Sequence, residues 1–156
     1  MVIMALYLVQ HGRSLPKEQD PERGLSEAGI YAVEVVAVLA ARQNIPVSHI
    51  VQSGKKRARQ TAEIFAKALK PVQGVSESDG LAPLDDVSLF AAAVNPADNL
   101  MAVGHLPFME RLVSYLVTGS TDKPVIRFQN GGIICLDIDP AADSWVITWA
   151  LYPAKD

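Results

Sequence analysis

The stretch Met4-Ala5-Leu6-Tyr7-Leu8-Val9 is apolar without alternation. That pattern suits a strand buried on both faces, as in a parallel sheet covered by helices. It ends abruptly in Gln10-His11-Gly12-Arg13-Ser14, and residues 16–24 form a polar loop. Ser26 is placed to cap a helix that runs to about Gln43. Ile30, Val33, Ala37 and Ala40 fall on one face of it, with Val36 beside them, until Asn44 and Pro46 stop it. Ile50-Val51 predicts a short second strand, closed by Ser53-Gly54. A second helix is predicted from about Lys56 to Leu69, burying Ala58, Ala62, Phe65 and Leu69 and ending before Pro71. Residues 71–86 are rich in Gly, Ser, Asp and Pro and read as a long loop, functional or mobile.

A short helix is predicted over residues 86–94 and a further buried strand over 99–103, ending at Gly104-His105. Pro107 suits the first turn of a following helix, in which Phe108, Leu112 and Leu116, with Val113 and Val117, keep the helical interval. Residues 125–128, 132–137 and 145–151 read as strands, the last two joined by a turn at Pro140-Ala141-Ala142-Asp143. Strand alternating with helix through the first two thirds predicts an α/β sandwich.

Length and composition narrow this picture. A chain of 156 residues fits one domain, 1–156, with a real core. With 14 basic and 17 acidic side chains the net charge is −3, which leaves no electrostatic footprint for nucleic acid. Cys135 is the only cysteine, so no intrachain disulfide forms and a reducing compartment is expected; within Ile133-Ile134-Cys135-Leu136 it reads as a small buried hydrophobe. The first nine residues are too short for a signal peptide and lack a basic start. No apolar stretch approaches the roughly 20 residues that span a bilayer. The expectation is a cytoplasmic protein without membrane contact.

The candidate chemistry lies at strand ends. Val9-Gln10-His11-Gly12 and Val103-Gly104-His105 each place a histidine just beyond the carboxyl end of a buried strand, the edge at which open α/β sheets bind ligands. Either histidine alone reads more readily as a polar residue where a strand meets solvent. The repetition, in a chain with three histidines, points to one shared pocket; His49 reads as structural or exposed. Ser53-Gly54 followed by a helix start with Lys55, Lys56, Arg57 and Arg59 is suited to an anion, because unpaired N–H groups and the helix dipole favour phosphate there. Arg57 is the inward candidate, with Thr61 one turn on. No HxH or HExxH spacing exists and no cysteine lies near either histidine, so no metal site is expected.

These motifs carry a resemblance. Leu6-Tyr7-Leu8-Val9-Gln10-His11-Gly12 resembles the opening strand and Arg-His-Gly motif of the histidine phosphatase superfamily. Ser53 with Arg57-Ala58-Arg59-Gln60-Thr61-Ala62 resembles its Ser-Pro-x-x-Arg-Ala-x-Gln-Thr-Ala stretch, and Val103-Gly104-His105 its second catalytic histidine. The small size and Glu22-Arg23-Gly24-Leu25-Ser26 look most like the SixA-type phosphohistidine phosphatases. The resemblance implies a phosphoglycerate mutase-like three-layer α/β/α sandwich with a mostly parallel sheet, and a phosphatase without metal or cofactor. It implies that His11 attacks phosphorus and becomes a phosphohistidine, while Arg23, Arg57 and His105, best protonated, hold the phosphoryl oxygens.

The chain departs from that pattern in three places. Gln10 stands where the motif has arginine, at a cost of about a few kcal/mol of transition-state stabilisation if nothing replaces the charge; Arg13 is the candidate replacement. Gly54 and Gly24 stand where proline is usual, which loosens two turns. No general acid aligns: Asp79 and Asp85 are the candidates in a loop that also holds Glu77 and Asp86, but Gly80 occupies the expected spot before Leu81-Ala82-Pro83. A phosphohistidine substrate suffers least from this, since its P–N bond is labile. The leading expectation is therefore a phosphorylated protein, plausibly a phosphotransfer domain, as partner. The alternatives are a phosphomonoesterase with a small phosphorylated substrate, and a phosphate-binding pseudo-enzyme suggested by Gln10.

Overall fold

The computed structural model describes residues 4–154. Residues 1–3, over which the signal-peptide reading extends, and 155–156, which the single-domain expectation includes, lie outside them. The elements in chain order are β1 (Leu6–Gln10), α1 (Glu27–Arg42), β2 (His49–Gln52), α2 (Lys56–Leu69), β3 (Val75–Glu77), α3 (Val87–Ala93), β4 (Leu100–Gly104), α4 (Phe108–Thr118), β5 (Ile133–Asp139) and β6 (Ser144–Leu151). The sheet order is β3-β2-β4-β1-β5-β6. The first four strands are parallel, and β5 runs antiparallel to both of its neighbours.

Alternation along β1 builds both cores at once. Tyr7 and Val9 pack among the side chains of α1 and α2, whereas Leu6 and Leu8 pack among those of α3 and α4. The unbroken apolar pattern of β1 is the mark of this double burial. The result is the expected three-layer α/β/α sandwich. Local chemistry sets the helix ends: the Ser26 side chain accepts from Gly29 N, Asp86 caps α3 through Ser88 N, and Gly119 at φ 82° closes α4.

Two expectations change. Residues 125–128 form no strand, because side chains take up backbone groups that a ladder would need: Phe128 N donates to Glu110 Oε2 at 2.8 Å, and the Tyr152 hydroxyl donates to Arg127 O at 2.7 Å. The loop predicted over 71–86 contains an edge strand, β3, parallel to β2. All three of its residues are exposed, so it carries no burial pattern to read.

The chain crosses from β1 over α1 to β2, steps outward to β3, then returns to insert β4 between β2 and β1. This reversal leaves β1 and β4 adjacent and parallel, with Gln10 opposite Gly104. Both histidine-bearing loops therefore leave the sheet side by side. Among the described residues, no helix is long and apolar enough to cross a membrane.

Candidate active site

The β1–β4 ladder continues one step past the strand. His11 N donates to Gly104 O at 3.0 Å, which draws His11 alongside His105, and the two rings lie 5.0 Å apart between centroids, tilted by 53°. His11 Nδ1 lies 2.7 Å from its neighbour's carbonyl, Gly12 O. That contact requires a proton on Nδ1, so Nε2 carries the lone pair. Arg57 Nε donates to this Nε2 at 3.3 Å, consistent with the same tautomer.

Helix α2 holds the site together through one face. Arg57 touches the nucleophile candidate, Gln60 Oε1 accepts from Leu25 N at 2.7 Å, and the buried Thr61 hydroxyl accepts from Gly12 N at 2.9 Å while donating to Arg57 O. Three residues spaced i, i+3 and i+4 thus fix both the His11 loop and the loop that carries Arg23. Lys56 adds an ion pair to Asp20 at 2.9 Å. Arg23 itself adopts φ 53° and donates to Ser14 Oγ at 3.4 Å. From the other side, Asn130 Nδ2 donates to His11 O at 3.0 Å and Gly131 N to Gln10 O at 2.8 Å.

The electrostatics report convergence. Burial pushes His11 down to about 4, against the pull of the Gly12 carbonyl and helped by the charges of Arg57 and Arg23. Burial likewise pushes His105 down to about 3, with His11, Arg57 and Lys55 adding to the effect. The Arg57 guanidinium is lowered by burial and by Arg23, so the two arginines lie close enough to repel. Such a cluster of cations around two neutral imidazoles is poised for an anion. Against the expectation of a protonated His105, burial pushes its pKa down to about 3, which favours the uncharged ring at neutral pH.

The other expected residues are placed as follows. Gln10 ends β1 half-buried, and alternation carries its side chain to the α3–α4 side, opposite the face from which Arg57 approaches. Arg13 lines a groove of about 510 Å³ beside α1 with Tyr31, Val35 and Asn130. Asp79 is exposed after β3, and the Asp85 carboxylate accepts from Ala82 N at 2.9 Å. Asp86 is occupied as the α3 cap. Among the described residues none of these three carboxylates bonds a histidine. His49 Nε2 meets Ser76 Oγ at 2.8 Å, away from the site. No group of acidic, histidine or cysteine side chains among the described residues could hold a metal ion.

The two glycines that replace prolines do more than loosen turns. Gly54 adopts φ 95°, which proline cannot, and a Cβ there would meet the Glu77 carboxyl carbon at 2.8 Å. A Cβ on Gly24 would lie within about 3 Å of Lys56, Asp20 and Gln60. Asn130, which holds the His11 carbonyl, gave no signal in the sequence: it lies 119 residues away, in a segment expected to lead into a strand.

With this geometry in hand, comparison with known proteins places the chain. A model of the Histidine phosphatase superfamily (branch 1) matches residues 6–85, and the chain belongs to that superfamily of phosphatases. A curated relative, an uncharacterized protein of Picosynechococcus sp., is 31% identical over 142 residues, spanning 85% of this chain and 84% of the relative. Among solved structures, the protein histidine phosphatase SixA complexed with tungstate superposes with a TM-score of 0.81 at 24% identity, over 96% of this chain and 97% of that one. A protein assigned as the phosphohistidine phosphatase SixA of Agrobacterium tumefaciens gives 0.75 at 25% identity, over 98% and 100%. One assigned as an alpha-ribazole-5'-P phosphatase of Escherichia coli gives 0.73 at 13% identity, over 98% and 97%.

Proposed function

We propose that this chain is a phosphohistidine phosphatase acting on a phosphorylated protein, with His11 as its nucleophile. The observation that carries this reading is the His11 Nε2 lone pair, fixed by Nδ1–H on the Gly12 carbonyl and faced by Arg57 and His105. In the first step that lone pair attacks phosphorus in line. The bond from phosphorus to the substrate nitrogen breaks, and its electron pair leaves on the substrate's imidazole, which takes up a proton from solvent. In the second step water attacks the phosphohistidine on His11, phosphate departs and the Nε2 lone pair is restored. Arg23, Arg57 and the His105 N–H receive charge on the phosphoryl oxygens, and such positioned charge supplies most of the catalysis in phosphoryl transfer. Gln10 contributes a neutral donor at most, and Arg13 lines the neighbouring groove.

The choice of a P–N bond rests on what surrounds the histidines. Asp85 and Asp86 are engaged in local capping and Asp79 is exposed, so a leaving alkoxide would find no acid among them. Imidazole leaves without one. A second reading, a phosphomonoesterase with a small substrate, draws on Glu77, whose carboxylate packs on Gly54 next to Ser53.

Parallel assays on a phosphorylated phosphotransfer domain, free phosphohistidine and p-nitrophenyl phosphate separate the two. A general acid is worth about 10²- to 10⁴-fold, so kcat/KM on the P–N substrates is expected to exceed that on the ester by at least about 100-fold. Comparable rates on the ester, lost in Glu77→Gln, would establish the second reading instead.

A further inference from the structure

His105 keeps one polar atom unsatisfied. Its Nδ1 is buried without a hydrogen-bond partner, while its Nε2 lies 2.6 Å from Ser53 Oγ. A neutral imidazole has one N–H and one lone pair. A proton on Nδ1 would leave a buried donor with no acceptor; a proton on Nε2 leaves only a lone pair unmatched. Orphaned acceptors are the better tolerated of the two, as among backbone groups.

We propose that Ser53 is a positioning residue that keeps His105 in its Nε2–H tautomer, a neutral donor that meets the phosphoryl group without becoming a cation. Ser53 Oγ serves as a stand-in acceptor: it holds the Nε2 proton until a phosphoryl oxygen takes its place. This proposal rests on the phosphatase reading of the site and adds a residue and a protonation state to it.

The surroundings oppose a second proton. It would have to sit on Nδ1, where nothing accepts it. His11 from the end of β1, and Lys55 and Arg57 from the start of α2, all disfavour positive charge on the ring. In the first turn of α4 the one carboxylate, Glu110, is engaged elsewhere, its Oε2 accepting from Phe128 N at 2.8 Å, while Phe108 and Met109 are buried and apolar and Met109 N is bound to the His105 carbonyl at 2.9 Å. The carboxylate of Glu77 packs against Gly54, the residue after Ser53. His105 as a whole is 2% exposed and its Nδ1 is buried, so water cannot easily substitute for an acceptor.

The test is ¹⁵N NMR of imidazole-labelled protein, in phosphate-free buffer and then with inorganic phosphate, combined with kinetics of Ser53→Ala and Ser53→Thr. In wild type, His105 is expected to show a protonated Nε2 and a bare Nδ1 from pH 5 to 8, with and without phosphate. Ser53→Ala is expected to mix the tautomers and lower kcat by about ten- to a hundredfold with KM little changed, short of the 10²- to 10³-fold loss for removal of a direct oxyanion donor. Ser53→Thr, which keeps the hydroxyl, restores both. A protonated Nδ1 in wild type overturns the proposal, and so does a Ser53→Ala variant that keeps either the wild-type spectrum or the wild-type kcat. The spectra require no turnover, so the proposal can fail while the phosphatase reading stands.

Discussion

In the proposed reaction His11 can serve as nucleophile because it is prevented from taking a proton. An ordinary imidazole with a pKa near 6.5 would be partly blocked at neutral pH; burial, with Arg57 and Arg23, moves this one to about 4. The pH profile of kcat/KM reports the free enzyme's ionisations. It is expected to be flat from about pH 5 to 8 and to fall only as pH drops through about 4. A loss of activity centred near 6.5 would show that His11 is not desolvated as the structure has it. At this scale much was legible: a histidine and a glycine after an unbroken apolar strand, twice, with an arginine at a helix start. Tautomers and charge states were not, since they depend on which carbonyl and which hydroxyl the fold brings to each ring nitrogen.

At the scale of elements, the site depends on how tightly α1 and α2 press on the His11 loop. Adding a Cβ to Gly29, in the first turn of α1, drives it into the Arg13 carbonyl, which is backbone and cannot step aside. At Gly104 the Cβ meets the end of the Met109 side chain, which can. Urea titration should therefore show Gly29→Ala less stable by about 1–3 kcal/mol, the usual range for overpacking, and Gly104→Ala clearly less affected. Thr61→Val, nearly isosteric, leaves the Gly12 N–H without its acceptor and should cost about 1–3 kcal/mol. It should also lower kcat, because that N–H fixes the residue next to His11. The helices α1 and α2 were legible from their spacing and stops. The edge strand β3 was not, because three exposed residues carry no period, and residues 125–128 misled because their strand-like composition is overridden by Glu110 and Tyr152.

For the whole molecule, two uncharged histidines tie stability to pH. In the unfolded chain both titrate near 6.5, whereas in the fold they do so near 4 and 3. Between about pH 6.5 and 4 the unfolded state binds more protons, so stability rises with pH there and is lost on acidification. Asp20, held down to about 2 by Lys56, adds stability that is lost only as pH falls through about 4 toward 2, so the window from 6.5 to 4.5 reports on the histidines. Urea midpoints should decline across that window in wild type and decline less in His11→Asn; equal slopes would contradict the charge states assigned here. The sandwich was readable from alternating strand and helix, but the insertion of β4 beside β1, which brings the histidines together, follows from strand order and leaves no local mark in the sequence.

The most direct test of His11 as nucleophile is to trap the phosphoenzyme. A ³²P-labelled phosphohistidine donor, quenched within one turnover, should leave a base-stable, acid-labile label on wild type that maps to His11 and is absent from His11→Ala. Label on another residue, or turnover by wild type with no label at His11, would contradict it.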